Sequence, residues 1–119
     1  MPDLATHLRQ AHHNEQFFLS FDRGIYSDWA MTVLYYAALQ YVDALLAHLG
    51  ILDPGGHDVR ECHIRSRNEL RPIHREYFRL KSRSRNARYY ARHFRPEEID
   101  RCRTTDFETI KQHVRGLLP

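Results

Sequence analysis

The sequence predicts an all-α fold, an up-and-down four-helix bundle with a short additional helix, and three observations carry that reading. Apolar residues recur at helical spacing along most of the chain, and no stretch shows the strict alternation of a half-buried strand. Residues 27–50 are apolar on nearly every side, which is the pattern of a helix buried at the centre of a bundle. The breaker residues gather in a few short links, as connections between antiparallel neighbours require. At 119 residues the chain reads as one domain spanning 1–119.

The first helix is expected from Asp3, a good N-cap, to about Phe21, with Leu4, Leu8, Ala11, Phe18 and Leu19 facing inward and Gly24 closing it. His12 and His13 fall mid-helix as ordinary surface or seam residues. The central helix follows. Ser27 is placed to cap it, with Tyr26 and Met31 at the positions of a hydrophobic staple and Gly50 in a left-handed C-terminal turn. Trp29, Val33, Tyr36, Ala37 and Ala44 cover one side; Met31, Leu34, Ala38, Leu45 and Leu49 cover others.

About 20 such residues would also span a bilayer. Asp43 argues against that, since a carboxylate near mid-span costs roughly 2.5 to 3.5 kcal/mol on insertion. Gln40 and His48 add polarity, so the helix reads as protein core and no membrane is expected. Thr32, Tyr36, Gln40 and Asp43 form a narrow polar seam, and Asp43 either meets an Arg from another helix or faces solvent.

After the turn at Asp53, Pro54, Gly55 and Gly56, the spacing of Val59, Cys62, Ser66, Leu70, Ile73, Tyr77 and Leu80 predicts one helical face that keeps its register across Pro72. His57, Arg60, His63, Arg67, Arg71 and His74 share an adjacent stripe, which reads equally as a solvated face or as a site. Ser82 and Ser84 are expected to break this helix, leaving a short one over residues 85–93. There Arg85, Arg88, Arg92 and Arg95 line a basic edge beside Tyr89, Tyr90, His93 and Phe94. Basic side chains interleaved with aromatics suit a phosphate backbone and stacked bases, although tyrosines more often serve the core. Pro96, Glu97 and Glu98 open the last helix, which Ile99, Phe107, Ile110, Val114 and Leu117 dock.

The net charge of +3 conceals a segregation. Residues 57–95 hold 12 Lys+Arg against 4 Asp+Glu, while the remainder is acidic. Of the 18 cations only Lys81 and Lys111 are lysines, and the planar fork of Arg grips phosphate. A high-GC genome would also raise Arg, but codon bias would not choose one half of the chain. Residues 1–21 carry His and charge without an apolar run, so no signal peptide is expected. Cys62 and Cys102 stand far apart without a CxxC pair; reduced thiols in a cytoplasmic protein are the expectation, with no metal and no cofactor.

No di-iron ExxH pair, HExxH, phosphate loop or nucleophile elbow is present. What remains is Arg with His, which together can cleave RNA without metal. An imidazole moves the proton of the 2′-hydroxyl or the leaving oxygen, and a guanidinium stabilises charge growing on the phosphate.

In the stretch DWAMTVLYYAALQYVDALLA, the GGHDVR turn and the segment YFRLKSRSRNARYY, the chain resembles the HEPN domains, small helical bundles of prokaryotic toxins, defence proteins and RNA-processing factors. The resemblance covers nearly the whole length. It implies a metal-independent endoribonuclease acting through an Arg, four to six intervening residues and a His, with two copies facing each other in a homodimer. Two spacings match: Arg88 and His93, with four residues between them, and Arg67 and His74, with six between. On an unbroken helix Arg88 and His93 point about 140° apart and converge only if the helix ends between them, whereas Arg67 and His74 share a face. The family's motif usually lies before the last helix, so the resemblance makes Arg88 and His93 the first catalytic candidates and Arg67 and His74 the second, with His57, Arg60, Arg71, Arg85, Arg92, Arg95, Tyr89 and Tyr90 expected to bind nucleic acid. The alternative is a catalytically inactive module that binds RNA, nucleotide or a protein partner such as a nucleotidyltransferase-like antitoxin.

Overall fold

Asp3 begins the fold as its sequence suggests: its carboxylate accepts the amide hydrogen of Thr6 at 2.9 Å and starts α1, Leu4–Ser20. The computed structural model describes residues 2–119, and those residues contain helices but no strand. His7, Ala11 and Phe18 are buried along α1, while Leu19, expected inside, is exposed. The error is one of phase, because His7, Ala11 and Phe18 step by four and seven and Leu19 falls beside that line. Gly24 does not close it: the chain turns extended at Phe21, Ser20 Oγ and Arg23 Nη1 donate to the Phe17 and Phe18 carbonyls at 2.7 and 3.0 Å, and the Asp22 carboxylate shapes the following turn by accepting the amides of Gly24 and Ile25 at 2.9 and 3.0 Å.

The central helix α2, Ser27–His48, packs against α1 along its length and also touches the later helices. It is long and apolar enough to cross a membrane, yet 78% of its most apolar stretch is buried inside the fold. Gly50, at φ +91, supplies the left-handed turn that ends it. Ser27 does not cap it, because Ser27 is already helical and buried and Tyr26 is half exposed, so the expected staple is absent. Trp29 is a second correction. It is 59% exposed, because Trp29, Val33, Tyr36 and Gln40 form the line of α2 that the bundle leaves partly open.

One continuous third helix is not what forms. α3, His57–Ser66, ends where Arg67 turns extended, a single 3₁₀ turn spans Arg71–Ile73, and α4, His74–Tyr89, starts afresh. Pro72 sits in the 3₁₀ turn, where its missing amide costs nothing. The predicted face therefore splits: Leu70, Ile73, Tyr77 and Leu80 are buried, but Val59, Cys62 and Ser66 are exposed, and α3 buries Arg60, Glu61 and Ile64 instead. Ser82 and Ser84 do not break α4, whose Ser84 is fully buried, and the short helix expected over 85–93 is absent.

α5, Pro96–Arg101, runs without interruption through a π-helical stretch, Cys102–Phe107, into α6, Glu108–Leu117. Ile99, Cys102, Phe107, Ile110 and Val114 are buried, and the step of five from Cys102 to Phe107 is what the wider π turn accommodates. Leu117 is exposed. Both thiols are free, Cys62 at the surface and Cys102 inside.

Candidate nucleic-acid site

The polar seam of α2 finds partners all along its length. The Asp43 carboxylate accepts from Arg60 at 2.7 and 2.9 Å in a buried bidentate pair, and Gln40 meets His7 at 2.7 Å. Arg60 is thus withdrawn from the surface it was expected to line, because a carboxylate on a buried helix demands a guanidinium. Tyr36 completes the seam by accepting from Arg88 Nη1 at 2.7 Å.

That last contact marks a cluster at the C-terminal end of α4. The Arg88 guanidinium lies 5.4 Å from the ring centres of both Tyr36 and Tyr89 and 5.9 Å from that of Tyr35, and its Nε donates to the Ser84 carbonyl at 3.3 Å. Three rings hold one cation in place. Arg85 lies 5.8 Å over Tyr89, and Tyr89 and Tyr90 are both about two-thirds exposed. Between α2 and α4, Asp28, Trp29, Thr32, Ala87 and Arg88 line a groove of about 270 Å³.

Beyond Tyr89 the chain reverses. Ala91 takes φ +51, the left-handed region that a side chain seldom enters, and the Asn86 carbonyl accepts the amides of Tyr90 and Arg92 at 3.1 and 3.2 Å. Phe94 is buried, and its amide donates to Ser27 Oγ at 2.8 Å, which is the use the fold makes of that serine. Arg92 stacks on Phe94 at 4.7 Å and pairs with Glu98 at 3.3 Å; Arg95 also reaches Glu98, at 3.4 Å. His93 stands exposed on this pinned loop.

The predicted stripe of α3 does not survive the break at Arg67. His57 turns toward Arg60, with Nδ1 and Nη1 3.2 Å apart, and Arg67 Nε donates to His63 at 3.0 Å. Arg71 is exposed and donates to Asn68 at 2.6 Å, and His74, also exposed, meets the Arg71 carbonyl through Nδ1 at 2.9 Å. Arg67 closes α3 while His74 opens α4, so they no longer share one helical face.

A family model described as the HEPN domain matches residues 6–116. The chain belongs to the HEPN family. Among curated proteins and among solved structures no match is found. Within this HEPN fold, α4 ends between Arg88 and His93, which removes the opposition that a continuous helix would impose on them. An arginine held among three rings is followed on the next loop by an exposed imidazole. Sequence reasoning missed Asp28 and Trp29 in the groove. Their signal lay in the line Trp29, Val33, Tyr36, Gln40, whose polar members already marked the open side of α2.

Proposed function

We propose that this HEPN protein is a metal-independent endoribonuclease in which Arg88 holds the scissile phosphate and His93 transfers the proton. The observation that carries this reading is the helix end at Tyr89, with the loop behind it turned at Ala91 and pinned through Phe94 to Ser27. His93 takes the proton from the 2′-hydroxyl, the 2′-oxygen bonds to phosphorus, and the 5′-oxygen departs with a proton from an imidazolium, leaving a 2′,3′-cyclic phosphate and a 5′-hydroxyl. One imidazole cannot be base and acid at once. Two copies facing each other supply both, which is the argument for a homodimeric cleft. Arg85, Arg71 and the exposed Tyr89 and Tyr90 extend the grip on the strand, while Glu98 holds Arg92 and Arg95. Arg67 with His74 is the reserve pair.

The experiment is RNA incubated with purified protein in excess EDTA, with cyclic phosphate ends as the product expected. His93→Ala is expected to lower cleavage by roughly two to four orders of magnitude with the fold unchanged. Cleavage that survives both His93→Ala and His74→Ala would reject the mechanism, and a monomer by light scattering at active concentrations would remove the shared cleft. A second reading has its own support. Arg88 is already bound to Tyr36 and to the Ser84 carbonyl, which suits a binding module for RNA, nucleotide or an antitoxin-like protein, and binding without cleavage of any RNA would favour it.

A further inference from the structure

We propose that the groove between the first turns of α2 and the last turns of α4 is a nucleobase subsite selective for guanine. The base stacks on Trp29, its N1–H and N2–H donate to the Asp28 carboxylate, and the adjoining phosphate lies on Arg88. This rests on the RNA reading above and names the base that the site takes.

The groove's size comes first. At about 270 Å³ it has space for one base, and it falls just short of the roughly 300 Å³ at which drug-sized sites begin. Trp29 then stands out on its helix: α2 buries most of its length, yet this large indole is 59% exposed and lines the groove. A flat aromatic left open beside a cation is a stacking surface, and base–aromatic stacking contributes about 1–3 kcal/mol per base.

Charge decides the occupant. Asp28 and Arg88 line the same groove but form no salt bridge with each other, and the Asp28 carboxylate accepts no hydrogen bond among the described residues. Arg88 uses Nη1 and Nε within the fold, which leaves Nη2 for a phosphate. An apolar partner laid over this groove would bury an unpaired carboxylate, which is costly. The neighbouring hollow of Phe17, Phe21, Tyr26 and Trp29 lacks such charges and offers no handle for a base edge.

A carboxylate only accepts hydrogen bonds. Guanine presents two adjacent donors, N1–H and the N2 amino group, to its two oxygens. Adenine and cytosine offer one amino group beside an acceptor nitrogen that the carboxylate repels, and uracil offers one N–H between two carbonyl oxygens. The pairing therefore favours guanine.

Trp29 is the sole tryptophan, so its fluorescence reports the groove directly. Titration with GMP, AMP, CMP and UMP, exciting the red edge of the indole band, should give saturable quenching by GMP at concentrations roughly 5- to 100-fold lower than by the others, as expected of one bidentate base contact. Asp28→Asn should erase that preference, since its amide places a donor against guanine's donors. Equal quenching by all four nucleotides, or an unchanged GMP preference in Asp28→Asn, overturns the subsite. Cleavage assays separate this from the nuclease reading. Cleavage without GMP-selective quenching rejects the subsite and retains the nuclease, whereas selective quenching without cleavage retains the subsite and rejects the nuclease.

Discussion

Asp43 and Arg60 show how one buried carboxylate redirects a surface charge. On α2 the carboxylate is surrounded by apolar side chains, and without a partner its desolvation would outweigh what the helix gains by burial. Arg60 answers it with a two-bond fork, which places the rest of α3 so that Glu61 turns inward to Lys81 at 2.6 Å. Asp43→Ala is expected to cost about 3–5 kcal/mol in urea unfolding, because Arg60 keeps its charge in a site closed to water. The double variant Asp43→Leu/Arg60→Met should recover most of that loss. A single variant as stable as wild type would mean that Arg60 escapes to solvent. Tyr41 is handled the same way: it donates to Glu15 at 2.5 Å, and burial together with that carboxylate pushes its hydroxyl up to about 12.

Among the elements, the loop between α4 and α5 is the one whose form sets the site. Its shape depends on few contacts: the left-handed Ala91, the shared Asn86 carbonyl, the buried Phe94 ring and the Ser27 hydroxyl. Ser27→Ala leaves the buried Phe94 amide without an acceptor and is expected to destabilise the protein by about 1–3 kcal/mol. Hydrogen exchange at the Phe94 amide should lose its protection while amides in the middle of α2 keep theirs, and Thr at position 27 should restore it. If the Phe94 amide remained protected in Ser27→Ala, another group would be holding the loop. The π turn in Cys102–Phe107 works at the same scale, setting Asp106 inward where Arg79 donates to it at 2.7 Å and Arg83 at 3.5 Å.

Over the whole molecule, the basic charge of residues 57–95 is only partly available. Arg60 lies inside, Arg79 and Arg83 hold Asp106, Lys81 holds Glu61, and Arg92 and Arg95 share Glu98. Arg65, Arg71, Arg75, Arg85 and Arg88 remain exposed without an acidic partner among the described residues, and of these Arg71, Arg85 and Arg88 belong to the proposed contact. The proposed RNA contact therefore engages a few phosphates per chain, not all 12 cations of the segment. Single-stranded RNA affinity should fall with log salt at a slope of about −0.7 per phosphate, so roughly −2 for three contacts on one chain. A slope near zero would mean that these side chains do no more than solvate the surface, and a slope several times steeper would mean that the paired arginines are released on binding.

The sequence by itself determined the helical class, the buried α2, the caps at Asp3 and Gly50 and the start at Pro96, because each follows from local periodicity or from one residue's backbone preference. It left Asp43 either meeting an Arg from another helix or facing solvent. Which Arg would answer was a tertiary decision, since the stripe's three arginines, Arg60, Arg67 and Arg71, looked alike until α3 broke at Arg67 and only Arg60 reached the carboxylate. The run of Val59 to Leu80 read as one helix because the spacing holds across Pro72, but the backbone turns extended at Arg67 and re-enters helix only through the 3₁₀ turn that holds Pro72. Ser82 and Ser84 looked like breakers because free serine prefers turns, yet packing of α4 against α2 carries the helix through them to Tyr89. The groove of Asp28, Trp29 and Arg88 was legible only in part: the open line of α2 is in the sequence, but its meeting with the end of α4 joins residues about sixty positions apart, and only the packed fold brings those together.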